Sequence, residues 1–244
     1  MTSCHIVVGV DGSLVSVRAL DRAAAEAVRH GGALRVLYAV SDRDEAAPIL
    51  DSAVSRTRAR CPGLLVETVA VEGGAVRALA RESADAVLTV VGTRGLGVLT
   101  GSAFGSVSTR LAALAQGPLL VVRGDHRRDD GREVLLGPVD DTDARAALYA
   151  FQEAERRGAK LRVLHSWRHC YVLSRLRDLH PDVAVETDTV RAAPADELLA
   201  ATREAAVVVV GAHRRTGALG PRPGPLTHTL LHHAHCPVAV VPQA

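Results

Sequence analysis

Short apolar runs alternate with longer amphipathic stretches along this chain, and the alternation falls into two rounds. In the first round the runs include Ile6-Val7-Val8, 34–40, 87–91 and 119–122, all dominated by Val and Leu. Runs of that length and character suit strands covered on both faces, as in parallel sheets. Between the first two, Ser13 is placed to cap a helix reaching about Gly31. Leu14, Val17, Leu20, Ala24 and Val28 would form its buried face, and Gly31-Gly32 its stop. The order reads βαβαβαβαβ in each round. This predicts an α/β fold of open, mainly parallel sheets with helices on both faces.

The two rounds are copies. Leu34-Arg35-Val36-Leu37 returns as Leu161-Arg162-Val163-Leu164, and the run 87–92 returns as 207–211. Gly117-Pro118-Leu119-Leu120-Val121-Val122 returns as Cys236-Pro237-Val238-Ala239-Val240-Val241, and Val7-Val8-Gly9-Val10-Asp11 as Leu136-Gly137-Pro138-Val139-Asp140. Four matches in one order indicate a tandem duplication. The polar, aperiodic 125–132 reads as a linker between domains at 1–124 and 133–244. A second helix equivalent to that of the first copy, 142–158, ends in the same glycine signal, and the second copy is shorter around its own second helical stretch.

Composition narrows the chemistry. Hydrophobic residues make up 48% of the 244 and aromatics only 2%, so the cores are built of Val, Leu and Ala. The net charge of +2, with 29 basic against 27 acidic residues, offers no basic stripe for nucleic acid. Few aromatics leave few platforms for stacking bases. Cys4, Cys61, Cys170 and Cys236 form no CxxC pair and suit a reduced compartment, with thiols used as small apolar residues. No apolar stretch approaches the roughly 18 residues of a membrane span, and the first strand starts too early for a signal peptide. A soluble, cytoplasmic protein is the expectation.

One stretch carries a chemical signal. Gly92-Thr93-Arg94-Gly95 through Gly101 to Gly105-Ser106-Val107-Ser108 follows a strand-like run and opens a helical one. That places it at the carboxyl end of the sheet, where open α/β folds bind ligands. Glycines admit backbone N–H groups close to an anion, and a helix N-terminus adds partial positive charge. The Ser106 and Ser108 hydroxyls could serve phosphate oxygens as further donors. The alternative is a Gly-rich surface loop that ends in a serine-started helix.

The spacing G-x2-G-x9-G-[ST], met by Gly92, Gly95, Gly105 and Ser106, resembles the ATP-binding signature of the universal stress protein family. Gly9-Val10-Asp11-Gly12-Ser13 is similar to that family's opening turn, and the resemblance spans nearly the whole chain as a tandem pair. It implies an adenine nucleotide α-hydrolase-like, Rossmann-like fold in both halves. It also implies ATP as cofactor, alone or with Mg, with Asp11 beside the nucleoside and the Ala39-Val40 backbone at the adenine. Gly92, Gly95, Gly105 and Ser106 would wrap ribose and phosphates, with Gly9, Val107 and Ser108 beside them.

The second copy departs from the pattern. Gly211 and Gly224 remain, but Arg214 replaces the middle glycine and Pro225 replaces the serine. Proline offers neither a hydroxyl nor an N–H, so the reading is a degraded site, with a changed ligand as the alternative. His228, His232, His233 and His235 with Cys236 suggest either a zinc cluster or, as taken here, histidines at a helix C-terminus. No metal ligand and no catalytic residue is therefore assigned. G-x-S-x-G and G-x4-G-K-[ST] motifs are absent, so ATP hydrolysis is expected to be slow at most. The expectation is an ATP-binding regulatory protein of a stress response, acting on unidentified protein partners. The alternatives are an interaction scaffold without nucleotide and a weak ATPase. The matching last strands further suggest an intramolecular pseudo-dimer, with a homodimer as the other arrangement.

Overall fold

The computed structural model of the chain describes residues 4–40, 46–93, 106–123, 132–138, 141–165, 171–189, 194–217 and 220–243. The chain divides into two units, 1–124 and 125–244.

The first unit runs β1 (His5–Val10), α1 (Leu14–Arg29), β2 (Ala33–Val40), α2 (Ala47–Arg60), β3 (Val66–Glu72), α3 (Ala75–Glu82), β4 (Leu88–Gly92), α4 (Ser106–Leu114) and β5 (Leu119–Val122). Its strands are all parallel, in the order β3-β2-β1-β4-β5. The chain winds outward from β1 to β3, then crosses back to β4 and β5. Right-handed crossovers therefore put α1 and α2 on one face and α3 and α4 on the other, and each of these pairs packs together. Between β1 and β4 the winding reverses, and the crevice at their carboxyl ends is the place such sheets hold ligands.

Strands buried on both faces account for the unbroken apolar runs. Ile6, Val7, Val8, Val90, Leu119 and Val121 have no more than a trace of exposed surface. Each such side chain contributes about 1.5–3 kcal/mol through burial.

Helix α1 starts where the sequence places it. Ser13 Oγ accepts from the Ser16 N–H at 3.2 Å, and the helix ends before Gly31 at φ +61°. Its buried face only partly matches the one read from the sequence: Leu20 and Ala24 are on it, but the helix ends are not. Leu14 is 79% exposed and Val28 57%, whereas Ala19, Leu20, Ala23, Ala24 and Ala27 are buried. Alanines let the helix axis come close to the sheet, and that close approach outweighs the burial of two larger side chains at the helix ends.

The second unit runs β6 (Glu133–Leu136), a 3-10 turn (Asp141–Asp143), α5 (Ala144–Arg157), β7 (Leu161–His165), α6 (Tyr171–Leu179), β8 (Val185–Thr189), α7 (Pro194–Ala201), β9 (Ala205–Ala212), β10 (Arg214–Gly217), β11 (Gly220–Pro223), α8 (Pro225–His233) and β12 (Val238–Pro242). Its parallel strands follow the order β12-β9-β6-β7-β8, the same winding as the first unit. Gly158, at φ +58°, stops α5 as Gly31 stops α1. Helix α6 has 9 residues against 14 in α2, in line with the shorter second copy. The antiparallel hairpin β10–β11 has no forerunner in the sequence reading. Of the linker, only Arg132 is among the described residues, and it donates to the Arg203 carbonyl at 3.1 Å.

Buried charges in the units are paired. Glu153 in α5 is held by Arg157 at 2.5 Å and Arg156 at 3.1 Å. Arg35 on β2 bridges Glu67 and Glu82, and its counterpart Arg162 on β7 bridges Glu133 and Asp188. Of the cysteines, Cys236 is buried as a small apolar residue, but Cys4 is exposed.

Candidate functional site

Three strand ends and three helices enclose a cleft of about 480 Å³, open mouth included, at the carboxyl edge of the first unit's sheet. β1 and the turn after it supply Gly9, Val10 and Asp11, β2 supplies Leu37 and Ala39, and β4 supplies Val91 and Gly92. Ser16 of α1, Ala75 and Leu79 of α3, and Val107 of α4 complete the lining.

The turn after β1 is shaped by Asp11. Its carboxylate accepts from the Ser13 N–H at 3.0 Å, and Gly12 takes φ +78°, a conformation that glycine adopts without strain. The turn thereby leaves a carboxylate at the cleft beside the N-terminus of α1. Leu37, Leu79, Val91 and Val107 make the rest of the cleft largely apolar.

Of the residues singled out from sequence, Gly9, Asp11, Ala39, Gly92 and Val107 come together in this cleft. Val40 does not line it: the residue is 6% exposed, and its carbonyl accepts from the Gly73 N–H at 3.1 Å. Ser108 is likewise outside the lining and 4% exposed. Gly95 and Gly105 lie outside the described residues, as does the side chain of Ser106, whose backbone begins α4. Sequence reasoning missed Val10, Ser16, Leu37, Ala75, Leu79 and Val91 as lining residues. For Leu37 and Val91 a signal existed, since they neighbour the chosen Ala39 and Gly92 on their strands; for Ala75 and Leu79 there was none.

Two glycines of the cleft lie under closely packed side chains. A Cβ on Gly9 would stand 2.9 Å from Leu79 Cδ1, and one on Gly92 would stand 2.6 Å from Val15 Cγ1. They let α3 and α1 close down on the strand ends that floor the cleft.

The corresponding place in the second unit is filled differently. Counting back fifteen residues from Gly31 and from Gly158 aligns Ser16 with Asp143. Asp143 is the N-cap of α5, yet its carboxylate makes no cap bond to that helix. Instead it is 3% exposed and accepts from Gln243 Nε2 at 2.5 Å, while His213 Nε2 lies 3.2 Å from the same oxygen. It also lies close over Gly211, the counterpart of Gly92, so that a side chain there would have to displace it. Pro225 occupies the first turn of α8, after Gly224, where Ser106 begins α4. Asp140 and the Arg214 side chain lie outside the described residues.

The sequence profile of the Universal stress protein family matches residues 4–123 and 170–242. The chain is 32% identical to a universal stress protein of Mycolicibacterium smegmatis, covering 98% of this chain and 97% of the relative. It is 30% identical to one of Mycobacterium tuberculosis, covering 99% and 96%. Among solved structures, a universal stress protein from Archaeoglobus fulgidus superposes with a TM-score of 0.78 at 18% identity, covering 98% of this chain and 96% of that one. Among the described residues no helix is long and apolar enough to cross a membrane.

Proposed function

The chain belongs to the universal stress protein family, and on that footing we propose that its first unit binds an adenine nucleotide, ATP, as the regulatory ligand of a stress response. The observation that carries this reading is the cleft itself, which gathers Asp11, Ala39, Gly92 and Val107 at the strand-order reversal. An apolar enclosure made by Leu37, Leu79 and Val91 suits the faces of a purine, whose burial drives binding without charge. The Asp11 carboxylate is an acceptor suited to a ribose hydroxyl. The N-terminus of α4 begins at Ser106 and offers partial positive charge to phosphates. In the sequence, the Gly-rich stretch before Ser106 is of the composition that admits phosphates close to backbone N–H groups. Any Mg would be carried by the nucleotide, because Asp11 is the one carboxylate among the described residues of the cleft lining.

The second unit binds no phosphate in this reading. A buried carboxylate, Asp143, lies over Gly211, the counterpart of Gly92, and it would repel a phosphate brought against it. The protein is then a one-nucleotide regulator whose two halves carry different duties, with hydrolysis at most incidental.

Calorimetric titration of ATP into the full chain and into Ala39→Phe tests the proposal. The phenylalanine ring occupies the base end of the cleft, so binding should be lost while the circular dichroism spectrum is retained. A folded Ala39→Phe protein that binds ATP as tightly as the parent would refute the assignment.

A further inference from the structure

Helix α8 of the second unit carries His228, His232 and His233, none of which the nucleotide reading uses. We propose that His228 and His232 chelate one divalent transition-metal ion, of the copper or nickel class, on the surface of this unit.

The two residues are i and i+4 and so share one helix face. Their ring centroids are 4.4 Å apart, with the planes inclined at 46°. His228 is exposed and His232 half-buried, so an ion reaches them from solvent. A metal–nitrogen bond of about 2.0–2.1 Å, plus about 1.1 Å from nitrogen to ring centre, puts each centroid about 3.2 Å from a bound ion. Two such rings are about 4.5 Å apart when the nitrogen–metal–nitrogen angle is a right angle, and about 5.2 Å at the tetrahedral angle. At 4.4 Å the two rings are close enough to share one ion, and copper(II) and nickel(II) stand at the top of the divalent affinity order for imidazole ligands.

His233 stays out of the pair, since its ring centroid is 6.3 Å from that of His232. The remaining coordination positions go to water. His232 and His233 lie in the last turn of α8, where free carbonyls carry partial negative charge. That field favours a bound dication as it favours a protonated imidazole. The helix-terminus and metal readings of this histidine cluster are therefore compatible.

The test titrates nickel(II) chloride into the untagged full chain by calorimetry in a non-chelating buffer. One equivalent should bind, and His228→Ala or His232→Ala should each weaken it at least about tenfold, the lower end of what loss of a mere outer-shell partner does. His213→Ala, which removes the His213–Asp143 contact of this unit, and Cys4→Ser should keep the parent affinity. Copper(II) electron paramagnetic resonance at one equivalent should show two equatorial imidazole nitrogens in the parent and one in His228→Ala. Absence of nickel binding would overturn the proposal. So would an affinity that His228→Ala leaves unchanged in a protein with the parent's circular dichroism spectrum, or one that His213→Ala abolishes.

Discussion

Val15 lies directly against the α-carbon of Gly92: a Cβ on that glycine would fall 2.6 Å from Val15 Cγ1 and 3.2 Å from its carbonyl oxygen. The first glycine of the Gly-rich motif is thus fixed by the first turn of α1, whatever ligand the cleft holds. Gly92→Ala should destabilise the first unit by about 1–3 kcal/mol, the usual range for overpacking. Urea unfolding would measure it. Val15→Ala in the Gly92→Ala background should recover only part of the loss, because the Val15 carbonyl stays in place. A neutral Gly92→Ala would mean that α1 shifts without penalty and that the contact is not a constraint.

Asp143, which aligns with Ser16 when counted from the helix stops, separates the two copies in the proposed reading. Ser16→Asp transfers that carboxylate into the cleft of the first unit. Repulsion from the nucleotide's phosphates should weaken ATP binding by about two orders of magnitude, or roughly 3 kcal/mol. Ser16→Asn, of similar size but neutral, should bind markedly better than Ser16→Asp. Titration of the parent should give one equivalent of ATP per chain. Two equivalents of similar affinity would show that the second unit takes phosphate despite Asp143.

Glu153 predicts a pH dependence. Burial pushes its carboxyl up, but Arg157 and Arg156 outweigh that and hold it below the ordinary glutamate value. A carboxyl depressed in the folded state contributes stability that is full above the ordinary value of about 4.3 and is lost as pH falls through the folded value. Glu153→Gln leaves two guanidinium groups facing a neutral amide and should lose about 3 kcal/mol or more near pH 7. The gap between parent and variant in urea unfolding should narrow as pH is lowered below about 4. A gap independent of pH from 7 to 3 would contradict the ion-pair account.

Leu14 and Leu20 separate the two readings of α1. Leu20 is 2% exposed and Leu14 79%. Leu20→Ala should cost about 2–5 kcal/mol, while Leu14→Ser should stay within about 0.5 kcal/mol. Equal losses at the two positions would restore the face inferred from the apolar spacing.

Much of this architecture was legible in the chain because its determinants are local. Ser13 caps α1, Gly31 and Gly158 supply left-handed stops, and the Val-rich runs can be satisfied only as strands covered on both sides. The duplication was visible for the same reason, since each copy repeats those local signals in order. Asp11, Ala39 and Gly92 reached the cleft because strand ends and the turns after them converge at the carboxyl edge of a parallel sheet.

The chain alone thus settled the order of its elements, their repetition and the edge of the sheet at which the cleft opens. Tertiary packing alone decided which stripe of α1 is buried, because Leu14 and Ala19 both fit a helical period and only the approach to the sheet chooses between them. It alone brought Leu79 over Gly9 and Ala75 into the cleft. It alone closed the second copy by setting Asp143 against Gln243, a hundred residues away, and over Gly211. Such contacts join segments far apart in the chain, and no propensity or spacing records them, since their partners are fixed only once the helices have docked on the sheet.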